Sequence, residues 1–242
     1  MTKAIASIKG TIAWRAEFGV TTIVDCCNQK EAGRGNPEMA AIIQKENATG
    51  KMYIRGYDKS GRAILYMRPA NENTTGEEDN NMRHLVFQLE KAIACSFQNK
   101  KAKICLIIDY EGFKLRHSPP MSTSRRTLDI LQKHYPERLY RSYVCNPPFI
   151  FRSFWVLIKP FVDPVTKKKI CFCSGKQGMA QIRDDMGGEN SPGAKHLEPC
   201  AGGTDPLRDF DSTEYLALPF HVAFDETPTT TEDNKKEQVK KK

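Results

Sequence analysis

Residues 149–161 carry eight large apolar side chains: Phe149, Ile150, Phe151, Phe154, Trp155, Leu157, Ile158 and Phe161. Wound as a helix, they fall on nearly every face, and such a helix belongs either in a large core or against lipid. A bilayer span takes about 20 apolar residues, and this run is interrupted by Arg152, Lys159 and Pro160. The segment is too apolar for an ordinary surface helix and too short to cross a membrane. A helix that closes over an apolar cavity, with a face able to touch a membrane, meets both constraints.

The rest of the chain alternates two periodicities. Residues 104–108 form a continuous apolar run into Asp109, the pattern of a central parallel strand buried on both faces. Strands are predicted at 52–54 and 63–67, joined by the turn signal Tyr57-Asp58-Lys59-Ser60-Gly61, and again at 139–145 and 169–173. Helical spacing predicts helices at 3–18, with Ile5, Ile8, Ile12 and Trp14 marking an apolar side, and at 40–44, 83–98, 122–134 and 177–186. Polar or glycine-rich stretches at 33–37, 71–81, 118–120 and 187–203 read as loops. Strands alternating with helices imply an α/β fold with a mostly parallel sheet.

At 242 residues there is room for one sizeable domain with accessories. The net charge is +8 and residues 225–242 hold five acids and five lysines, so the positive excess sits on the body. A basic body favours an anionic partner: an acidic membrane, a phosphorylated headgroup or nucleic acid. The tail is poor in apolar residues and is expected to be disordered, adding weak membrane or nuclear-import affinity or only solubility. The eight cysteines read as reduced, intracellular thiols, with Cys95 and Cys105 inside apolar segments. Residues 1–10 lack the apolar centre of a signal peptide. Cys171, Cys173, His196 and Cys200 are of metal-ligating type, but their spacing matches no standard zinc pattern.

Among function classes, an enzyme finds candidate groups in Asp109, His117, Asp184 and Asp185, but there is no nucleophile elbow and no phosphate loop. A nucleic-acid binder is suggested by charge alone, and the basic residues are scattered without a groove-reading motif. A non-enzymatic chain without metal, cofactor or nucleic-acid partner is expected.

The segments TIAWRAEFGV, GYDKSGRAILYMRP, KICLIIDYEGF, YPERLYRSYVCNPPFIFRSFWVLIKPFVDPVTKKKI and CAGGT, in this order, resemble the CRAL-TRIO lipid-binding family. Within it they resemble the branch of secretory-pathway phosphatidylinositol/phosphatidylcholine transfer proteins. The resemblance runs from the first helix to about residue 223. It implies a sheet floor with flanking helices around one deep apolar pocket that holds a single lipid. It makes the 149–161 segment the gate helix over that pocket, with Phe149, Phe151, Phe154, Trp155, Leu157, Ile158 and Phe161 as its apolar residues. It also implies three parts: residues 1–20 as the remnant of an N-terminal helical region, 35–223 as the lipid-binding domain, and 224–242 as a disordered polar tail.

By the same resemblance, Arg15, Glu137, Thr166 and Lys169 contact or organise the headgroup of phosphatidylinositol. The chemistry agrees: a phosphodiester takes charge-assisted bonds from a cation such as Lys169, with the hydroxyl of Thr166 one helical turn away, and inositol hydroxyls take an acceptor such as Glu137. The plainer alternatives are an ion pair between Glu137 and Lys169, and a solvated turn at Lys167–Lys169. Phosphatidylcholine-binding members present two hydroxyl residues on the strand before the aspartate, where this chain has Ile104 and Leu106 on one face of the pocket floor. Phosphatidylcholine is therefore not expected, and a second hydrophobic lipid, such as a sterol, takes its place. Gly202 and Gly203 match the family's glycine pair and suit a hinge coupled to the gate, or a simple turn. The implied function is extraction of one phosphatidylinositol and its transfer or presentation between membranes; the alternative is a lipid-sensing scaffold that regulates a partner such as a lipid kinase. A cytoplasmic, peripherally membrane-associated monomer in transient membrane contact is expected.

Overall fold

A computed structural model describes residues 2–27, 35–73, 76–188, 196–207 and 210–224 of the chain. In chain order these form α1 (Thr2–Glu17), α2 (Val20–Asp25), α3 (Pro37–Asn47), β1 (Met52–Tyr57), β2 (Ala63–Met67), α4 (Glu78–Gln98), β3 (Ile104–Asp109), α5 (Met121–His134), β4 (Leu139–Cys145), α6 (Phe151–Ile158), α7 (Pro164–Lys169), β5 (Ile170–Cys173), α8 (Gly175–Asp185) and α9 (Ser212–Ala217).

Local chemistry starts and stops these elements. Asn36 caps α3 by accepting from Met39 N at 2.9 Å, with Pro37 at the first helical position. Asp163 caps α7 in the same way, accepting from Val165 N and Thr166 N at 2.9 and 3.0 Å, with Pro164 next. In the β1–β2 turn, Asp58 accepts from Ser60 N and Arg62 N, and Gly61 takes a positive φ of 82°.

The strands lie in the order β1-β2-β3-β4-β5; β1 and β2 are antiparallel and the remaining neighbours parallel. The mostly parallel sheet flanked by helices is the architecture expected from the sequence. Register puts Leu65, Leu106, Ser142 and Ile170 in one row across the sheet, and Met67, Ile108, Val144 and Phe172 in the next row on the same face. The other face carries Tyr66, Cys105, Ile107, Tyr143, Cys145 and Cys173, all essentially without exposure. It is sealed by α8, whose Asp185 accepts from Arg141 and Tyr143 at 2.5 and 2.9 Å, and by the segment around Glu198, which accepts from Tyr53 at 2.7 Å.

The two faces differ, and this corrects the expectation of a β3 buried on both. Met67, Leu106, Ile108 and Ile170 are only partly buried and Phe172 is exposed, whereas the alternating Cys105 and Ile107 are fully buried. Continuous apolarity in a strand cannot say whether both faces are covered by the chain itself.

A second correction concerns α1. Ile5, Ile8 and Ile12 point to solvent, 48%, 60% and 63% exposed. The helix docks by a neighbouring stripe instead: Trp14 stacks on His134 with centroids 3.9 Å apart, and Thr11 donates to the Lys133 carbonyl at 3.1 Å. The start of α4 at Glu78, five residues before the predicted point, and the short helices α2 and α9 were not legible from periodicity. Residues 189–195 of the predicted glycine-rich loop, and the tail from residue 225, lie outside the described residues.

Candidate functional site

The parallel strands β3, β4 and β5 begin side by side, and the four residues proposed for a headgroup gather near that edge in two groups. In the first, Glu137 and Lys169 meet: Lys169 Nζ donates to Glu137 Oε2 at 3.4 Å, so the ion-pair alternative is realised. Lys103, just before β3, donates to the same oxygen at 3.4 Å. The bonds from Lys169 first and Lys103 second hold the Glu137 carboxyl below its usual range. Glu137 itself sits at φ 58°, a left-handed backbone that a non-glycine residue adopts at a cost of roughly 1–3 kcal/mol. Thr166 lies one turn before Lys169 on α7, and its bond to Asp163 is the main reason the Asp163 carboxyl is held low.

The second group holds Arg15. Its guanidinium grips Glu90 of α4 with two bonds of 2.6 and 3.1 Å, and the Tyr135 hydroxyl donates to the same carboxylate at 2.7 Å. The Glu90 bond also raises the Arg15 pKa above its ordinary value. Arg15 thus does not meet Glu137 directly. It fixes Tyr135, two residues upstream of Glu137, and so organises the segment that presents the carboxylate. Glu90, Tyr135 and Lys103 were not singled out from the sequence. Glu90 lies inside an amphipathic helix pattern and Lys103 inside a run of scattered lysines, so neither carried a local cue.

The gate segment divides in two. Residues 151–158 form α6, and Lys159–Phe161 continue as one tighter 3₁₀ turn started by Pro160. Phe151 and Ile158 are buried, while Phe154 and Trp155 are half-buried. Phe151 packs on Tyr110 and Phe172 with centroids 4.8 and 5.9 Å apart, and Trp155 meets Phe172 edge-on at 5.4 Å. Through Phe172, α6 lies against the partly exposed face of the sheet that carries Leu106. The outer crest of the whole 149–161 segment is Phe149, Val156, Leu157 and Phe161, 83%, 69%, 59% and 45% exposed. Arg125 of α5 stacks over the Phe161 ring at 4.6 Å, and Gln132 donates to the Phe161 carbonyl at 2.9 Å. Phe151, Phe154 and Trp155 thus pack inward and support the helix, and the outward apolar surface is that of Phe149, Val156, Leu157 and Phe161.

On the floor, Ile104 is buried and Leu106 partly so. The register adds a hydroxyl the sequence did not suggest: Ser142 of β4 pairs with Leu106 and is buried on the same face. Two cavities, of about 590 and 240 Å³, lie elsewhere. The larger is lined by Thr49, Asn71, Glu72, Arg116 and His117 among others, the smaller by Arg68, Leu207 and Phe210 among others, and no residue of α6 lines either.

Gly202 and Gly203 are held tightly. Gly202 is left-handed at φ 83°, its carbonyl accepts from Arg183 of α8 at 3.1 Å, and a Cβ there would meet the Met179 carbonyl oxygen at 2.7 Å. A Cβ on Gly203 would lie 1.8 Å from the Leu197 carbonyl oxygen. The turn is built by close backbone approach, and it ties the 196–203 segment to α8, which follows the strand that supports α6.

The residues considered for other chemistries are engaged separately. Asp109 accepts from Asn146 and from Glu111 N, Asp185 from Arg141 and Tyr143, and His117 from Lys114 N. His196 pairs with Asp205 at 3.2 Å, and the Cys173 thiol points to the Cys171 carbonyl. Among the described residues, Cys171, Cys173, His196 and Cys200 included, no group of three or more His, Cys, Asp or Glu is placed to hold a metal ion. The eight cysteines are free, and no described helix is long and apolar enough to cross a membrane.

Comparison with known proteins identifies the family and the fold. Residues 47–192 match the CRAL/TRIO domain, and the chain belongs to that family. It is 39% identical over 165 residues to a CRAL-TRIO domain-containing protein of Schizosaccharomyces pombe, covering 68% of this chain and 15% of that protein. It is 33% identical over 174 residues to the phosphatidylinositol transfer protein PDR17 of Saccharomyces cerevisiae, covering 70% and 47%, and 28% identical over 207 residues to the SEC14 cytosolic factor of Candida glabrata, covering 78% and 65%. The chain therefore spans less than two thirds of each of these relatives. The crystal structure of Sfh5 shares the fold, with a TM-score of 0.59 at 19% identity over 89% of this chain and 76% of that one.

Proposed function

We propose that this protein binds a single phosphatidylinositol between α6 and the sheet and transfers or presents it between membranes, exchanging it for a second hydrophobic lipid that is not phosphatidylcholine. The observation that carries this reading is the asymmetry of the sheet. One face is sealed by the chain; the other keeps Leu106, Ile108, Ile170 and Phe172 partly accessible beneath a helical segment whose outer crest is apolar. A folded chain does not leave the centre of its sheet accessible without loss, because each 100 Å² of apolar surface left wet forgoes about 2.5 kcal/mol. An acyl chain recovers that loss at about 0.8 kcal/mol per methylene.

The headgroup is assigned to the edge where β3, β4 and β5 begin. Lys169 and Thr166 take the phosphodiester, Glu137 accepts from inositol hydroxyls, and Arg15 acts through Glu90 and Tyr135 to place Glu137. The lipid-binding unit is taken as residues 35–223, with α1 docked onto it. The relative named a phosphatidylinositol transfer protein supports the ligand class. Exchange opens α6 at a peripheral membrane contact, where the crest enters the interface beside Lys159, Lys167 and Lys168.

A vesicle-to-vesicle transfer assay tests this reading. Transfer of labelled phosphatidylinositol, with little transfer of phosphatidylcholine, is expected. One-to-one binding of phosphatidylinositol without transfer would mark a sensor that presents its lipid to a partner, and absence of binding would reject the assignment.

A further inference from the structure

The headgroup edge carries more positive charge than a phosphodiester uses. Lys103 immediately precedes β3, Glu137 and Arg138 precede β4, and Lys169 immediately precedes β5. The backbone locks these lead-ins together: Ile104 N donates to the Arg138 carbonyl at 2.8 Å, and Arg138 Nη1 donates to the Ala102 carbonyl at 3.0 Å. Lys103 and Lys169 then approach one carboxylate oxygen from the lead-ins to two different strands, each at 3.4 Å. Their ammonium groups lie no farther apart than twice that distance, which suits two phosphates carried on one six-membered ring.

Charge points the same way. Lys103, Arg138 and the Lys167–Lys169 run of α7 bring five cations against the carboxylates of Glu137 and of Asp163, which caps α7 and feels the Lys169 charge. A phosphodiester brings one negative charge and leaves the edge positive. A phosphate monoester brings a further ~1.5–2 negative charges near pH 7. Arg138 is already spent in part on the Ala102 carbonyl and on the Phe97 ring, 5.6 Å from its guanidinium. Among the described residues, Lys103 is held by an exposed bond to Glu137, whose side chain is 69% exposed. Such surface contacts are weak and are exchanged readily for a stronger anion.

We infer that Lys103 is a specificity-determining residue of this site, and that it selects inositol lipids bearing an additional phosphate monoester on the ring. The inference rests on the headgroup assignment above. Lys169 and Thr166 hold the phosphodiester in both lipids; Lys103 leaves Glu137 and binds the second phosphate only when one is present. The recognised chemistry is a ring with two phosphates, found in a membrane lipid or in a soluble inositol phosphate, and the inference commits to the lipid.

The test offers vesicles containing equal amounts of phosphatidylinositol and phosphatidylinositol 4-phosphate to the full chain, and reads the lipid recovered in the soluble complex by native mass spectrometry. The wild type is expected to recover the monophosphate preferentially. In Lys103→Gln the ratio of monophosphate to phosphatidylinositol should fall roughly tenfold, the loss of one charge-assisted bond, and Lys103→Arg should restore it to within about twofold. An unchanged ratio in Lys103→Gln, or a wild type that recovers phosphatidylinositol alone, overturns the role of Lys103 and leaves the headgroup assignment standing. Recovery of neither inositol lipid overturns both. Calorimetry with soluble inositol 1,4-bisphosphate separates the sources: tight binding of the free headgroup without lipid recovery overturns selection of a lipid.

Discussion

Glu137 and Lys169 meet at 3.4 Å across the starts of two neighbouring strands, with Glu137 in a left-handed backbone conformation inside the turn that Arg138 N closes on the Tyr135 carbonyl. The Glu137 end of the pair is solvent-facing, its side chain 69% exposed, while the Lys169 side chain is 18% exposed. Exposed ion pairs add little to stability.

Lys169→Ala is therefore expected to leave the thermal midpoint unchanged within error while lowering phosphatidylinositol transfer at least tenfold, the value of one charge-assisted phosphate contact. Thermal unfolding and vesicle transfer on the same preparation check this. Unchanged transfer would remove Lys169 from the headgroup site.

The crest of α6 allows a second expectation. Leu157→Ser with Phe161→Ser removes apolar surface that faces outward, so lipid exchange should slow severalfold while the amount of lipid held at equilibrium stays constant. Phe172→Ala, which strips the support under Trp155 and Phe151, should instead speed exchange and, since Phe172 is itself half exposed, cost only about 1 kcal/mol of stability. Stopped-flow transfer kinetics distinguish the two; equal rates in the crest variant and the wild type would take the crest out of membrane contact.

Glycines 10 and 203 should respond to alanine in opposite directions. Gly203→Ala places a Cβ 1.8 Å from the Leu197 carbonyl oxygen and should destabilise the chain by about 3 kcal/mol or more. Gly10 lies inside the exposed α1, and an alanine methyl there would have nothing within 4 Å, so Gly10→Ala should stabilise by up to about 1 kcal/mol. Chemical denaturation of both variants gives the comparison.

Lys91 makes a pH prediction. It is buried on α4, donating to the Pro219 carbonyl at 3.3 Å and lying 5.0 Å from the Tyr215 ring centroid. Burial pushes its pKa down to about 8 from 10.5. Between these values the unfolded chain holds the proton more firmly than the folded one, so this group's contribution to stability rises with pH from about 8 to 10.5 and is smallest below 8. Buried tyrosines titrate with the opposite sign at the upper end, so the measured quantity is the difference between wild type and Lys91→Met across that window. The variant should gain on the wild type as pH falls from 10.5 to 8; a constant difference would contradict a depressed pKa.

The parts legible from sequence were those with a strong period or a punctuating residue. The five strands were found because β-branched and aromatic runs were bounded by turn chemistry such as Asp58 to Gly61, and α6 because its apolar density has few physical explanations. The accessible face of β3 was not legible, because Leu106 and Cys105 look alike in a hydrophobic run and only the packing of α8 and the 196–203 segment separates their fates. The same limit applies to Ile5, Ile8 and Ile12, whose helical spacing is that of a buried stripe although Trp14 and Thr11 make the docking contacts. Ser142 and Lys103 depend on strand register and on which lead-in segments become neighbours, and neither leaves a local trace.

The most direct test of the lipid assignment is native mass spectrometry of the protein after incubation with mixed liposomes, with identification of the released lipid. A one-to-one adduct of an inositol phospholipid, with phosphatidylcholine absent, is the expected result and gives Ile104 and Leu106 their meaning. Phosphatidylcholine in the complex would contradict it and point to the Ser142 hydroxyl as a substitute on the floor, and a protein free of any lipid would contradict the binding of phosphatidylinositol itself.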